Sequence, residues 1–295
     1  MLNRASKPFV KLVERYLPDP YIFVLLLTLV TFVLAVVIQN QTPLTTIQQW
    51  GDGFWGLLTF SMQMLLVLVT GFMLACTPLV KTLLERLASL AKSAGSAIVL
   101  VTLVSLVASW INWGFGLVVG ALFAKALARK VSVDYRLLVA SAYSGFVVWH
   151  GGLAGSVPLT IATPGHFSEA QIGVIGTGDT IFSGFNLLLL AIMFVVIPLV
   201  NRLMLPPSSE SIIVDRAKLQ DDTLPSTTNE RPADKLENSK ALGLLVGFAG
   251  LAYLTNYFVA GGGLNLNVVN TLFLFLAIVL HGTPRNVLHS LQQAV

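Results

Sequence analysis

Apolar residues fall in long, nearly uninterrupted runs along this chain, and most charged residues lie between those runs. A bilayer core of about 30 Å needs about 20 apolar residues for each spanning helix. Four runs approach or exceed this length with few or no charges, and a shorter fifth adjoins mildly polar residues that complete a span; they are residues 21–38, 54–76, 181–200, 241–260 and 268–280. The pattern predicts an all-α, polytopic membrane protein.

Two further apolar regions are interrupted by glycine-rich sequences. Residues 97–109 and 117–127 are each too short to cross alone, and they are separated by Trp110-Ile111-Asn112-Trp113-Gly114-Phe115-Gly116. Residues 137–149 run into His150-Gly151-Gly152-Leu153-Ala154-Gly155-Ser156, and a short apolar piece, 157–162, follows. Unpaired backbone groups that face lipid are costly, so irregular backbone at membrane depth persists where it is buried in protein or lines a cavity. We therefore expect two broken helices that share a cavity.

The composition supports a membrane protein and weighs against two other classes. Only 11% of the residues are charged and the mean hydropathy is +0.79, whereas soluble domains carry about 25% charged residues. The net charge of +4, from 18 Lys and Arg against 14 Asp and Glu, is distributed in short clusters between apolar runs. This distribution is typical of polytopic proteins. We therefore expect a lipid bilayer as the environment and no nucleic acid as a partner.

The basic residues also predict the orientation of the chain. All 18 lie within residues 4–15, 81–92, 125–136 and 202–240 or at 285, and the connections 39–53, 150–180 and 261–267 contain none. Because short cytoplasmic loops are enriched in Lys and Arg, we place the basic segments and the N-terminus in the cytoplasm. Both flanks of residues 97–127 are basic, which predicts one re-entrant hairpin with its tip at residues 112–116. The alternative is a single kinked spanning helix, which would invert every later loop.

The chain is predicted to contain two membrane units joined by a linker. Residues 201–240 hold four prolines, many Ser and Thr, and seven acids against six bases. That composition is typical of a nearly neutral linker with little to bury, so residues 1–200 and 241–295 are taken as the two units. Residues 77–90 have apolar positions at helical spacing, which favours either a helix on the inner membrane surface or an extension of the preceding helix.

The two breaks supply the candidate binding residues. One half-helix is expected to begin at Leu117 and another at Val157, with Ser156 as its N-cap, and helix N-termini attract anions. Asn112, which lies between two tryptophans, is interpreted either as a substrate contact or as the cap of the hairpin arm. The glycines of the second break either frame the cavity or allow close helix packing. The candidate substrate-binding residues are Asn112, Trp113, Gly114, Gly151, Gly152, Gly155, Ser156, Ser183 and Asn186.

Two other residues near the second break have alternative or secondary roles. His150 either carries a proton, since its unperturbed pKa is about 6.5, or makes a structural hydrogen bond near the outer cavity. Asp179, in Gly178-Asp179-Thr180, is predicted to cap the next helix. That start places Ser183 and Asn186 one turn apart inside the helix, on the polar wall of the cavity.

The absence of basic residues from these segments predicts how the cavity would bind an anion. No Lys or Arg is expected at mid-membrane, and a helix N-terminus contributes only about 0.3–1 kcal/mol, or up to about 2 kcal/mol when partly buried. These contributions are small beside the several kcal/mol needed to desolvate an ion. We therefore expect a co-transported H⁺ or Na⁺, no other cofactor, and a weakly acidic monocarboxylate rather than a dianion.

Catalytic and metal sites are not expected. The single cysteine, Cys76, excludes an internal disulfide and a Cys-based metal site. The chain also contains no His-Glu-x-x-His and no Gly-x-Ser-x-Gly sequence. An intramembrane enzyme is therefore disfavoured.

Several ordered motifs resemble one transporter family. They are Leu17-Pro18-Asp19-Pro20, Trp50-Gly51-Asp52-Gly53-Phe54-Trp55, Ile111-Asn112-Trp113-Gly114-Phe115-Gly116-Leu117-Val118-Val119-Gly120, Gly155-Ser156-Val157-Pro158 with Ala162-Thr163-Pro164-Gly165, and Gly178-Asp179-Thr180-Ile181-Phe182-Ser183-Gly184-Phe185-Asn186. From residue 1 to its end, the chain resembles the bacterial short-chain fatty acid transporters, the acetoacetate/butyrate permeases. The resemblance implies symport of a short-chain monocarboxylate across the inner membrane. It also implies a distant relation to ion transporters built from two inverted repeats with re-entrant hairpins.

The resemblance implies further chain beyond Val295. Family members continue for several helices and a second glycine-rich hairpin, so residues 1–200 correspond to a first repeat and 241–295 to the start of a second. We expect this chain by itself not to transport, and a homo-oligomer or a separately encoded second half would be its partner. His150 stands where the family pattern has glycine. The alternatives are a related dicarboxylate carrier, a cation antiporter, and a non-transporting remnant or partner subunit.

Overall fold

The computed structural model describes residues 2–219 and 231–295. Every regular element in these ranges is helical, which confirms the predicted all-α class. Within them, six segments are long and apolar enough to cross a membrane: Pro20–Val37, Leu58–Ala75, Ala94–Ile111, Tyr135–Ile161, Gly184–Leu203 and Lys240–Val259. The chain divides into two compact units, Met1–Ser61 and Met62–Val295. The repeat boundaries predicted near residues 200 and 240 concern internal symmetry rather than compactness, and they stay a prediction.

The first unit begins with three helices, α1 (Leu2–Tyr16), α2 (Pro20–Val37) and α3 (Pro43–Gly53). The Asp19 carboxylate caps α2 by accepting a hydrogen bond from the Tyr21 backbone N–H at 2.8 Å, and a proline follows at the first helical position. None of the residues of α2 is buried. A helix that is apolar on all sides and has no buried face is suited to contact lipid.

The rest of the described chain adds twelve α-helices. In chain order they are α4 (Leu58–Ala75), α5 (Pro78–Ala88), α6 (Ala94–Ile111), α7 (Trp113–Lys130), α8 (Tyr135–Ser144), α9 (Ser156–Ile161), α10 (Glu169–Ile172), α11 (Gly184–Leu203), α12 (Pro232–Glu237), α13 (Lys240–Val259), α14 (Leu266–His281) and α15 (Pro284–Ala294). Short 3₁₀ helices cover Gly145–Gly151, Ser208–Glu210 and Arg216–Leu219. The predicted apolar spans correspond to α2, α4, α11, α13 and α14, with their ends displaced by a few residues.

Helices α6 and α7 form an antiparallel hairpin that reverses at Asn112. Gly116 lies against Ser109, and one turn further from the tip Gly120 lies against Ser105. This antiparallel register shows that the alternative prediction, a single kinked spanning helix, is wrong. The expectation of short arms is also wrong, because each arm has 18 residues and is about 27 Å long at 1.5 Å per residue. Whether the tip lies inside the bilayer stays a prediction.

The second predicted break is present between α8 and α9. After Ser144 the backbone tightens into a 3₁₀ helix that ends at Gly151, and Gly152 is extended. Helix α9 then begins at Ser156 with Gly155 at the N-cap position, where no side chain caps it. The prediction of Ser156 as the N-cap is therefore wrong by one residue.

Helix α5 is a separate helix and not an extension of α4. The chain leaves α4 after Ala75, and the Thr77 hydroxyl accepts a hydrogen bond from the Val80 N–H at 3.5 Å to start α5. Leu84 and Ala88 of α5 are buried in the same core as α7. The extension is therefore excluded, and the location of α5 on a membrane surface stays a prediction.

The described start of the predicted linker is bound to the hairpin. The Ile212 N–H donates to Asp134 Oδ2 at 2.8 Å, and Arg129 Nη1 donates to the Leu219 carbonyl at 2.8 Å. Leu219 is buried in the core that contains α6 and α7. The expectation of a linker with few buried residues is therefore wrong for this stretch. The Asp134 carboxylate and the Arg129 guanidinium hold its backbone in place. Residues 220–230 lie outside the described residues.

The last helices pack on α4 and on one another. The His281 ring Nε2 lies 2.9 Å from the Met73 carbonyl, and Asn270 Nδ2 donates to the Gln63 carbonyl at 3.0 Å. These contacts hold α14 beside α4. The arrangement places α15 next to the basic end of the hairpin, where a cavity opens.

Candidate substrate site at the hairpin tip

The hairpin tip is organised by Asn112. Its backbone is extended, and its side-chain Oδ1 accepts a hydrogen bond from the Phe115 N–H at 2.9 Å. The residue is fully buried. Helix α7 therefore begins at Trp113, not at Leu117 as predicted, because this cap satisfies an N–H of its first turn. The interpretation of Asn112 as a helix cap is confirmed.

Several hydrogen-bond donors at the tip have no partner. Among the described residues, four buried side-chain atoms of this segment have no hydrogen-bond partner: Ser109 Oγ, Trp110 Nε1, Asn112 Nδ2 and Trp113 Nε1. Each buried donor without a partner costs about 1–3 kcal/mol. A short turn that carries four such atoms is suited to a ligand with acceptor oxygens. None of these residues is charged, so the segment offers only neutral donors.

Glycines allow α4 to touch the tip directly. A Cβ atom at Gly71 would lie 2.5 Å from the Phe115 backbone N, and one at Gly114 would lie 2.7 Å from the Val67 carbonyl O. No side chain fits at either position without a shift. Gly114 therefore sets the approach of two backbones, and its contact with substrate stays a prediction.

The second break also lies against the tip. The Leu153 N–H donates to the Trp110 carbonyl at 2.7 Å, and a Cβ atom at Gly152 would lie 2.9 Å from Trp110 Cα. A Cβ atom at Gly155 would lie 3.1 Å from the His150 carbonyl carbon. The structure thus brings the two breaks into contact. Gly152 and Gly155 are required there by close packing, which was one of the two predicted interpretations.

Asn186 fastens the second break to α11. Its Nδ2 donates to the carbonyls of Gly151 at 3.0 Å and Ile181 at 2.7 Å. The Ser183 hydroxyl is the N-cap of α11 and accepts from the Asn186 N–H at 3.4 Å. The prediction of Asp179 as the cap is wrong, because the chain continues through turns until Ser183. Ser183 and Asn186 are thus committed to internal hydrogen bonds, and a polar wall built from them stays a prediction.

An aromatic group that sequence reasoning missed lies beside the tip. The ring of Trp113 lies 5.7 Å from that of Trp149 and 6.3 Å from that of Phe146, and the Phe146 and Trp149 rings stack at 5.0 Å. The 3₁₀ helix explains this stack, because residues three apart align along a helix with 3.0 residues per turn. The three-residue spacing of Tyr143, Phe146 and Trp149 was the available signal.

His150 lies next to this aromatic group without a hydrogen bond. Its ring centroid is 3.8 Å from that of Trp149, and the side chain is exposed. In the described part of the chain its ring nitrogens have no hydrogen-bond partner. The predicted structural hydrogen bond is therefore absent within these residues, and the role of His150 in proton transfer stays a prediction.

Comparison with known proteins identifies similar transport proteins. Residues 1–295 match the family model described as "Short chain fatty acid transporter". A candidate short-chain fatty acid transporter of Escherichia coli (strain K12) is 44% identical over 301 aligned residues, which cover 100% of this chain and 68% of that protein. A candidate short-chain fatty acid transporter of Haemophilus influenzae is 40% identical, over 96% of this chain and 66% of that protein. The chain thus spans about two thirds of each relative. No solved structure matches it.

Proposed function

The chain belongs to the short-chain fatty acid transporter family, and from this premise we propose that it carries a short-chain monocarboxylate such as butyrate or acetoacetate by symport with H⁺ or Na⁺. Family membership places the chain among transport proteins and not among enzymes. The proposed location is the bacterial inner membrane, with the N-terminus in the cytoplasm.

The observation that carries the proposal is the set of unused donors at the hairpin tip. A carboxylate offers two acceptor oxygens with about four lone-pair sites. Ser109, Asn112 and the two tryptophans offer N–H and O–H donors in a segment shielded from water. The rings of Phe146 and Trp149 beside Trp113 provide apolar surface for a short alkyl chain. These features support a small carboxylate with an apolar tail as the ligand.

The neutral character of the tip supports coupling to a cation. Desolvating an anion costs several kcal/mol even after relaxation of the protein, and no charged side chain belongs to the tip segment 109–116. Moving a proton or Na⁺ together with the carboxylate removes the net charge from the translocated species. Symport therefore requires the protein to stabilise less desolvated charge than uncoupled transport of the anion does.

The test is uptake of labelled butyrate by proteoliposomes under an imposed proton gradient, a sodium gradient, or neither. For the chain completed by fusion with the remaining third of the Escherichia coli relative, we expect saturable accumulation with one gradient and none when both are collapsed. Asn112→Asp keeps the shape and the capping oxygen but replaces the amide donor, and it should abolish uptake. Asn256→Asp, the same change at an exposed position of α13, should leave uptake unchanged. Uptake that is unaffected by collapsing both gradients would refute symport.

Two further arms address the alternatives. Succinate should compete less well than butyrate, and the reverse order would favour a dicarboxylate carrier. Since the chain spans about two thirds of its relatives, uptake is measured for this chain alone and for a fusion with the remaining third of the Escherichia coli relative. Uptake by the fusion alone would support the expected need for a second half.

A further inference from the structure

A cavity of about 780 Å³ opens at the other end of the hairpin, between α4, α5, α7 and α15. Four basic side chains line it, Lys81, Lys125, His281 and His289. No Asp or Glu is among its lining residues in the described structure. On α7 the lining runs from Leu117 to Lys125, a rise of about 12 Å. The cavity thus extends from near the tip towards the basic end.

The two lysines of this cavity are not neutralised by carboxylates. Within the described residues, neither Lys81 nor Lys125 forms an ion pair, and both are only partly exposed. Arg129, one turn beyond Lys125, instead pairs with Glu85 at 2.6 Å. Uncompensated charges of one sign in a concave site with low-dielectric walls raise the local concentration of counter-ions. The cavity is therefore expected to attract anions.

A buried hydroxyl provides a second, independent indication of a ligand. Ser290 on α15 is only 2% exposed, it lines the same cavity, and its Oγ has no hydrogen-bond partner in the described structure. Phe72 and Leu122 add apolar lining. Cationic groups, a free donor and apolar surface together match a carboxylate that carries a short alkyl chain.

We propose that this cavity is a second carboxylate site, in which Lys81 and Lys125 hold the anion at the basic end of the hairpin before or after it reaches the tip. The identity of the ligand as a short-chain monocarboxylate rests on the proposed function. The site lies at the basic end of the hairpin, so the expectation that no Lys or Arg lies at mid-membrane stays a prediction. Sequence reasoning missed it because the two lysines belong to different basic clusters, which the packing of α5 and α7 brings onto one cavity.

The single cysteine of the chain provides the test, because Cys76 lines the cavity. The rates at which sulfonatoethyl and trimethylammonioethyl methanethiosulfonate modify Cys76 are compared in the purified full chain, with mass spectrometry as the readout. Both reagents require the same thiolate, so their ratio reports the local potential. We expect the anionic reagent to react about tenfold faster after correction for its intrinsic rate. Butyrate should slow the reaction, whereas neutral butyramide should not.

Variants assign the effect to the lysines. The double variant Lys81→Gln/Lys125→Gln should lose the preference for the anionic reagent and the protection by butyrate, and Lys81→Arg/Lys125→Arg should retain both. Lys92→Gln removes one positive charge from the same basic end outside the cavity and should behave as the wild type. If the double glutamine variant kept both the preference for the anionic reagent and the protection by butyrate, the proposal would be overturned.

Other occupants are excluded by further arms of the same measurement. Equal protection by butyramide would indicate apolar filling, and equal protection by inorganic phosphate would indicate an unspecific anion site; either would overturn the carboxylate assignment. Complete protection of Cys76 from modification by nanodiscs that contain anionic lipid, in the absence of butyrate, would also overturn the carboxylate assignment. Loss of butyrate protection with normal uptake by the fusion would refute this site alone, whereas protection without uptake by the fusion would support it and count against the proposed transport.

Discussion

The tip and the basic end of the hairpin are held by different forces. At the tip, Gly114 and Gly116 bring backbones together and Asn112 caps α7, all without charge. At the basic end, Glu85 pairs with Arg129, and Asp134 binds the stretch around Ile212. Steric contacts do not respond to salt or pH, whereas charges near water do. We therefore expect a rigid, condition-independent tip and a basic end whose stability depends on the solution.

The largest effect is expected at Gly116. A Cβ atom there would lie 2.5 Å from both the N and the Cα of Ser109, and backbone atoms cannot move aside as a flexible side chain does. Gly116→Ala should lower the free energy of unfolding by about 3 kcal/mol, the upper range for overpacking. Thermal unfolding in detergent measures this loss.

Gly184→Ala is the matched control, because nothing lies within 4 Å of its Cβ position. It should unfold like the wild type. If Gly116→Ala also unfolded like the wild type, steric control of the tip would be refuted.

The next largest effect is expected at Asp134, which is buried and binds the linker. Its carboxylate accepts from the N–H groups of Ile212 and Leu137 and from Arg136. Asp134→Asn should lower the free energy of unfolding by about 2 kcal/mol, since hydrogen bonds to charged groups contribute about 1.5–3 kcal/mol. Tryptic cleavage at Arg216 should become faster. Asp215→Asn, an exposed acid of the same stretch, should leave the free energy of unfolding unchanged.

The pH dependence at Asp134 sharpens the contrast with the tip. Burial by itself raises the pKa of this carboxyl, but hydrogen bonds from Arg136, Ile212 and Leu137 outweigh it and hold the pKa below the ordinary value of 3.8. A lowered folded-state pKa gives stability that is fully present above the unfolded value and is lost as pH falls through the folded value. The wild type and Asp134→Asn should therefore differ most between pH 5 and 7, and the difference should begin to shrink near pH 3.8 and vanish once the pH is below the folded-state pKa. A difference that did not shrink as the pH fell below about 3.8 would contradict this assignment.

A smaller effect is expected from the cap at the tip. Asn112→Ala removes the oxygen that accepts from the Phe115 N–H, and it should lower the free energy of unfolding by about 1 kcal/mol. Asn112→Ser keeps a capping oxygen and should recover most of that loss. Thermal unfolding at low and high salt should give the same difference. Equal losses in the two variants would mean that the cap does not stabilise α7.

The smallest effect is expected at Glu85. Its side chain is 42% exposed, and it lies 2.6 Å from Arg129 Nη2 and 3.3 Å from Lys130 Nζ. Exposed ion pairs contribute about 0.2–1 kcal/mol, so Glu85→Gln should lower the free energy of unfolding by about 0.5 kcal/mol. At about 1 M salt, where the Debye length is about 3 Å, the difference should disappear. A loss that is independent of salt would assign Glu85 a packing role instead.

Sequence reasoning located the candidate site better than it assigned roles within it. Glycine-rich interruptions of apolar runs identified both breaks, because local backbone chemistry is visible in composition. It misplaced the starts of α7 and α11, since several residues near each start were able to cap. Which of them does so depends on the packing of the turn, as Asn112 and Ser183 show. Predicting the aromatic stack at Trp149 would have required knowing that this segment is a 3₁₀ helix. A search for α-helical periodicity does not reveal that.

The sequence by itself determined the properties that arise from local composition: the all-helical class, the rough limits of the five predicted apolar runs, and the positions of the two breaks. Only the tertiary structure decided that Gly152 contacts Trp110, that Asp134 binds the linker, and that Lys81 and Lys125 line one cavity. The physical reason is that hydrophobicity and backbone propensity act within a few residues of the chain. Contacts between helices instead depend on complementary shapes and charges contributed by segments far apart in the sequence.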